Sequence, residues 1–123
     1  MKQEYKELLL KDLCARLPYG VEVEYNNSTC EVLSIDKYNE ELTIWKCPVC
    51  YPDIELEDAK PYLFPMSSMT KEQIKEFNSI TQHCSTYTGK SILLTDFCNR
   101  HHIDWRGLIP MGLANDAIGL NIY

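Results

Sequence analysis

The sequence predicts an α+β domain: a leading helix, then a small antiparallel sheet of four or five strands, then two or three short helices that close one side. Three observations carry this prediction. Apolar residues recur at helical spacing over 3–16, they alternate with polar residues in short segments over 21–57, and a complete helix-start signal stands at Thr70. At 123 residues the chain is predicted to be a single domain over 1–123. Residues 1–66 form its helix and β-meander, and residues 67–123 form a helical part packed on them.

The first helix is predicted over 3–16 because its apolar residues share one stripe. Tyr5, Leu9 and Leu13 are spaced four residues apart, which makes them neighbours on one helical face, and charged residues occupy the opposite face. Pro18 ends the helix, since the residue before a proline avoids helical backbone.

The predicted strands lie close together and are separated by turn residues. Each is four to eight residues long and alternates apolar with polar residues or is rich in β-branched and aromatic ones. In the second strand, adjacent Val32 and Leu33 break the alternation, which indicates a β-bulge. This spacing predicts a meander that curls into a small, SH3-like barrel. The strands cover 21–25, 29–36, 42–47 and 54–57, and the turns between them cover 26–28, 37–40 and 48–53.

The middle of the chain joins the strand-rich part to the helical part. Thr70 is the predicted N-cap of a helix over about 71–82, and Gln73 stands at the capping-box position. Pro61 and Pro65 remove backbone donors and are therefore predicted to end strand pairing just before the joint.

Beyond that helix the pattern predicts short elements. Residues 84–90 are predicted as a loop, and residues 91–102 as a helix with apolar residues on one face. Asp104 is placed to cap a final turn. The tail, 113–123, is apolar and is predicted to dock on the body of the domain.

Composition narrows the class of partner. A formal net charge of −6 disfavours nucleic acid, because tracking a phosphate backbone requires clustered Lys and Arg. No apolar run is long enough to span a bilayer, and the start of the chain lacks the apolar segment of a secretory signal. The expected location is cytoplasmic, and the expected partner is another protein rather than a membrane.

Cys47-Pro-Val-Cys50 is the motif most typical of a metal site. Two cysteines at this spacing direct both thiolates at one tetrahedral zinc. A structural site requires two more ligands, and the sequence contains no second Cys-x-x-Cys. The six cysteines are expected to be reduced thiols in a cytoplasmic chain, with no cofactor. Cys30, Cys98, His101 and His102 are other donors if the fold gathers them.

The remaining reactive side chains do not form a recognisable catalytic pattern. Adjacent His101 and His102 point about 100° apart on a helix, so His101 is expected to be partly buried and His102 exposed. The nucleophile candidates are Cys84 beside His83 and Cys98 near His101, and neither stands in a nucleophile turn. The chain is therefore predicted not to be an enzyme. Packing in the core and at the joint is favoured over a binding groove for the aromatic set Trp45, Tyr62, Phe64 and Trp105.

Three segments carry a resemblance that spans nearly the whole chain. Together they are similar to a group of small proteins of gut Bacteroides-type bacteria and their phages and prophages. The resemblance implies a mobile-element origin, and no activity, ligand or catalytic residue. The segments are Lys-Asp-Leu-Cys-Ala-Arg-Leu-Pro-Tyr-Gly (11–20), Lys-Pro-Tyr-Leu-Phe-Pro-Met-Ser-Ser-Met-Thr (60–70) and Asp-Trp-Arg-Gly-Leu-Ile-Pro-Met-Gly-Leu-Ala (104–114).

The leading functional interpretation is a small, non-enzymatic intracellular interaction module, of phage or prophage origin. It depends on the lack of a catalytic pattern and on the predicted fold. One alternative is a structural zinc-binding module that uses Cys47 and Cys50. The other is a nucleic-acid-associated barrel protein, which the net charge disfavours.

Overall fold

The computed structural model describes residues 1–84 and 86–123; Ser85, which falls in the predicted loop 84–90, lies outside the described residues. The fold is α+β, as predicted. None of the helices in the described residues is both long and apolar enough to cross a membrane. The helices are α1 (Gln3–Arg16), α2 (Lys71–His83) and α3 (Tyr87–Arg100). The strands are β1 (Glu22–Tyr25), β2 (Ser28–Asp36), β3 (Glu41–Lys46), β4 (Val49–Glu55), β5 (Lys60–Pro65), β6 (Ile103–Asp104) and β7 (Asn115–Asp116).

The strands form one mixed sheet in the order β4-β3-β2-β1-β5-β6, with β7 also pairing with β5. Pairing is antiparallel from β4 to β5, whereas β6 and β7 run parallel to β5. The five antiparallel strands match the predicted number, but the sheet of the described residues is mixed, because two short parallel strands extend it. Within the described residues β4 and β6 lie at opposite ends of the order, so the sheet does not close and the SH3-like barrel is not confirmed. The reason is that β5 uses its second edge for strands that arrive much later in the chain.

Helix α1 has the predicted bounds. Its stripe residues Leu9 and Leu13 are buried in the main core against the sheet. Pro18 lies in a 3-10 turn over Leu17–Tyr19, and Gly20 then takes a φ of 82°, which a side chain would disfavour.

The first hairpin is also confirmed. Asn26 and Asn27 have φ values of 49° and 61°, and a two-residue turn of this kind matches the twist of the strands that it joins. The predicted bulge is present, because the register of β2 against β3 shifts between Val32 and Ser34. Leu33, the extra residue, is 45% exposed.

Strand β4 replaces the loop predicted over 48–53. Cys50 pairs with Trp45 of β3, and Val49 pairs with Lys46, so only residues 47 and 48 separate the two strands. Pro52 falls in the predicted loop but lies in β4, which is an edge strand, where a missing backbone donor leaves no partner unsatisfied.

Strand β5 corrects the prediction that Pro61 and Pro65 end strand pairing. Pro61 pairs with Val23 of β1, and the residues between the prolines supply the hydrogen bonds on the other side. The Phe64 N–H donates to the carbonyl of His102 at 2.8 Å, and the Leu63 carbonyl accepts from the N–H of Ala117 at 2.9 Å. The segment predicted to be a joint is thus an interior strand.

The helical part differs from the prediction mainly at the start of α3. This helix begins at Tyr87 rather than at 91, because the Thr86 side chain accepts from the backbone N–H of Gly89 and caps it. The predicted capping box of α2 is present, with Thr70 and Gln73 bonding reciprocally. The tail docks as predicted, and Ala117 is buried.

Asp104 caps a turn at the end of β6, as predicted. Its carboxylate accepts from the backbone N–H groups of Leu108 at 2.8 Å and Ile109 at 2.9 Å. These bonds hold the segment that follows β6 close to the body of the domain.

A buried ion pair joins α1 to the C-terminal part. Arg16 and Asp12 are fully buried, and Arg16 Nε donates to Asp12 Oδ2 at 2.9 Å. The same guanidinium donates to the carbonyls of Ile103 at 2.7 Å and Cys98 at 3.4 Å. Arg106 Nε approaches the second Asp12 oxygen at 3.2 Å. Helix α1 and the segment from Cys98 to Arg106, which are distant in sequence, therefore meet at one charged centre.

Candidate functional site

The predicted zinc residues lie at the tip of the β3–β4 hairpin. Cys47 is in its turn and Cys50 is on β4, and both thiols are exposed and free. Within residues 1–84 and 86–123 no three His, Cys, Asp or Glu side chains gather as a metal-binding group. In that part of the chain the structure brings no further ligand to Cys47 and Cys50, and the zinc interpretation gains no support.

His102 is half-buried, so the prediction of an exposed side chain was wrong. Its backbone has a φ of 58°, which turns the chain out of α3 and stacks the imidazole on the Tyr123 ring at a centroid distance of 3.5 Å. Burial, followed by the positive charge of Arg16, lowers the pKa of His102 to about 4. The ring is therefore neutral at pH 7, and its buried Nδ1 has no hydrogen-bond partner among the described residues.

The Tyr123 hydroxyl completes the seam between β1 and β5. The ladder of these two strands stops at Val23 and Pro61. At the next position the hydroxyl accepts from the Glu22 N–H at 3.1 Å and donates to the Tyr62 carbonyl at 2.9 Å. Burial raises the pKa of this phenol to about 12, so it stays a donor. This role is structural, and no local pattern in the sequence signals it.

The two candidate nucleophiles, Cys98 and Cys84, differ in their surroundings. Cys98 is buried, which raises the pKa of its thiol and keeps it protonated. The His101 ring lies 4.7 Å from the Phe97 ring, and its Nε2 is 3.7 Å from a Glu76 carboxylate oxygen. The Cys84 thiol lies 3.7 Å from a backbone carbonyl. The hydrogen bonds of the described residues join neither thiol to a histidine, although His83 and Cys84 line one cavity.

A concave surface follows one face of α3. Two cavities of about 210 and 180 Å³ adjoin there, and Leu94 lines both of them. We call this surface the α3 groove. Its α3 members recur at helical spacing and so share a face of the helix. They are Tyr87, Lys90, Ser91, Leu94, Thr95 and Cys98, and the walls are Met66, Phe77 and Trp105.

Helix α2 leaves the groove wall only partly covered. The helix has an apolar face, yet none of its residues is fully buried. Phe77 and Ile80 pack on a small second core formed by Phe97, Cys98 and Ile103. Apolar surface that one side of a helix pair leaves open is typical of a docking surface.

The Trp105 wall is held in place from two sides. Its indole Nε1 donates to Asn99 Oδ1 at 3.0 Å, and the Arg106 guanidinium lies 4.1 Å from the ring centroid. A fixed aromatic side chain loses little conformational entropy on binding, which suits it to anchor a partner.

Lys90 is the one charged residue that lines the two groove cavities, and it makes no ion pair within the described residues. The remaining lining is apolar or weakly polar. This arrangement can accept an apolar surface that carries a carboxylate.

Sequence reasoning missed this groove because it placed the helix start too late. If α3 began at 91, Tyr87 and Lys90 would belong to a loop. The set of residues that share the groove face of α3 would then be too short to indicate a groove. The signal was present in Thr86, whose spacing to Gly89 is that of an N-cap. The aromatic set also divides: Tyr62 is buried, whereas Trp45 is 37% exposed and Trp105 lines the groove.

Comparison with known protein families, with curated proteins and with solved structures finds no match to this chain. The resemblance to small proteins of Bacteroides-type bacteria and their phages stays a prediction. A functional proposal therefore depends on the geometry of the groove.

Proposed function

We propose that this protein is a small, non-enzymatic interaction module that binds one helix of a protein partner in the α3 groove. The observation that carries the proposal is the open concavity along α3 between Tyr87 and Leu94, whose walls Met66, Phe77 and Trp105 are apolar. Amphipathic helices commonly lie in grooves of this kind with their apolar face inward.

The length of the groove favours a helix as the occupant. Helix α3 has 14 residues, which at 1.5 Å per residue corresponds to roughly 21 Å. A partner helix of about four turns can contact this whole length with anchors at i, i+4 and i+7. Leu94 lies where the two cavities meet and is expected to contact the central anchor.

Charge favours an acidic partner helix. Lys90 is available at the Tyr87 end of the groove, and an aspartate or glutamate of the partner would pair with it there. A rim pair of this kind contributes mainly to orientation and association rate, while the apolar anchors supply most of the affinity.

The test is a selection of helical 14-residue peptides against the protein, followed by titration of the selected peptide. The Trp45→Phe background leaves Trp105 as the single tryptophan of the chain, so its emission reports groove occupancy directly. We expect saturable binding that Leu94→Arg weakens by tenfold or more, which corresponds to about 1.4 kcal/mol.

Leu93 provides the matched control on the same helix. It is 47% exposed and lines a separate cavity with Ile80 and His83, away from the groove. Leu93→Arg should leave peptide affinity unchanged. Equal loss in both variants, or no loss in Leu94→Arg, would contradict the proposal.

A further inference from the structure

Another cavity, of about 380 Å³, has a lining that contrasts with the charge of the whole chain. The protein carries a formal net charge of −6, yet three of the five lining residues are cations and none is a carboxylate. We call it the basic pocket. Its lining residues are Leu10, Lys11, Cys14, Lys37 and Arg106.

Arg106 is held by two contacts that leave the end of its guanidinium free. Its Nε donates to Asp12 at 3.2 Å, and its guanidinium lies 4.1 Å from the centroid of the Trp105 ring. Within the described residues its two terminal nitrogens make no hydrogen bond. A guanidinium held in this way presents a planar pair of donors that matches a phosphate or carboxylate. Asp12 does not fully neutralise the charge of Arg106, because the same carboxylate is also paired with Arg16.

The two lysines are available to the same ligand. Lys11 is on α1 and Lys37 is in the turn between β2 and β3, and neither makes an ion pair within the described part of the chain. The acidic residue adjacent to Lys37 is Asp36, whose carboxylate accepts from the N–H groups of Tyr38 and Asn39. The one adjacent to Lys11 is Asp12, which pairs with Arg16 and Arg106. Three like charges around one concavity repel each other, and an anion relieves that repulsion.

We propose that the basic pocket binds a small organic phosphate monoester. The phosphate dianion contacts the Arg106 fork and the ammonium groups of Lys11 and Lys37, and the carbon part of the ligand lies against Leu10 and Cys14. A cavity of about 380 Å³ falls within the usual range for small-molecule sites. The site lies outside the α3 groove, so it stands or falls independently of the proposed docking function.

Cys14 provides a readout at the site itself. Its free thiol lines the pocket, whereas Cys47 is exposed on the β3–β4 hairpin. The experiment measures the rate of alkylation of each cysteine by mass spectrometry, at pH 7.5 and low salt, with phenyl phosphate, inorganic phosphate or a single-stranded oligonucleotide added. We expect saturating phenyl phosphate to slow alkylation of Cys14 about fivefold or more and to leave Cys47 unchanged.

Variants locate the effect. Lys11→Gln and Lys37→Gln should each raise the phenyl phosphate concentration required for half-protection about fivefold, the effect of one exposed ion pair. Lys75→Gln, the same substitution at an exposed position of α2, should change nothing. Both pocket lysines are at the surface, so these variants are expected to fold.

Several results would overturn the proposal. One is unslowed Cys14 alkylation at millimolar phenyl phosphate, and another is equal protection in the pocket variants and in the wild-type protein. Equal protection by inorganic phosphate would refute the contribution of Leu10. Protection by the oligonucleotide but not by phenyl phosphate would assign the pocket to nucleic acid instead.

Discussion

Replacing Arg16 with methionine tests whether the buried ion pair holds α1 to the C-terminal part. Methionine fills much of the same space but removes three hydrogen bonds, to Asp12 at 2.9 Å and to the carbonyls of Ile103 at 2.7 Å and Cys98 at 3.4 Å. Breaking a buried ion pair from one side costs about 3–5 kcal/mol, because the remaining charge stays buried. Each carbonyl left without a partner adds to that loss. Arg106 still pairs one oxygen of Asp12, so we expect a loss of about 4 kcal/mol.

The chain contains a matched control. Arg100 and Glu76 approach as closely, at 2.6 Å, but their side chains are 49% and 47% exposed. Arg100→Met should therefore cost about 1 kcal/mol or less. The assay is urea unfolding followed by far-UV circular dichroism and tryptophan fluorescence, with the free energy of unfolding obtained by linear extrapolation.

A difference of less than about 1 kcal/mol between Arg16→Met and Arg100→Met would refute the reasoning. If the methionine variant fails to fold, Arg16→Lys keeps the test usable. Lysine retains the charge but lacks the forked geometry that reaches two carbonyls, and it should cost about 2 kcal/mol. An Arg16→Lys variant as stable as the wild-type protein would refute the reasoning equally.

Three further predictions concern single side chains. His102 has a pKa of about 4 in the fold against an ordinary value of 6.5, so the unfolded chain binds more protons between these values and stability falls as pH decreases through that window. Discounted for the partly exposed ring, the loss is roughly 1–2 kcal/mol. His102→Asn, which tolerates the φ of 58°, should flatten the pH profile. Tyr123→Phe keeps the ring stack but removes the hydroxyl that bridges Glu22 and Tyr62, and should lower the free energy of unfolding by about 1–2 kcal/mol. Thr70→Ala removes the N-cap of α2 and should cost about 1 kcal/mol in urea unfolding.

Each of these predictions has a contrary result. An unchanged pH profile between pH 7 and 4.5 in His102→Asn would assign the acid sensitivity to other groups. A Tyr123→Phe protein of wild-type stability would show that water replaces the hydroxyl. If Thr70→Ala lost affinity for a helical peptide without losing stability, the cap would belong to the interaction surface instead.

Elements that local chemistry specifies were predictable. Helix α1 has the predicted bounds, the Asn26-Asn27 turn has the backbone that two-residue hairpins require, and the Thr70 cap is present. Strands β4 and β5 were not, because both contain prolines. Whether a proline is tolerated depends on which edge of a strand is already paired, and that is a long-range property. Pro52 lies on an edge strand and Pro61 inside the sheet.

The candidate sites were less predictable than the fold. The α3 groove requires the helix start at Tyr87, which a single cap residue decides. The basic pocket brings together residues 11, 37 and 106, whose separation leaves no spacing to recognise. The motif with the most familiar spacing, Cys47 and Cys50, is the one that the described structure leaves without further ligands.

The pairing of β5 with two late strands bears on how the chain can be divided. A fragment cut after Met66 would keep β5 but lose the partners of the Phe64 N–H and the Leu63 carbonyl. Its open edge would carry Tyr62, Leu63 and Phe64 in succession, a template for strand addition between molecules. Such a fragment should aggregate when expressed alone, and co-expression with residues 67–123 should restore solubility. A boundary at residue 66 separates the strand-rich part of the sequence from the helical part. It also removes β6 and β7, the two strands that pair with the second edge of β5.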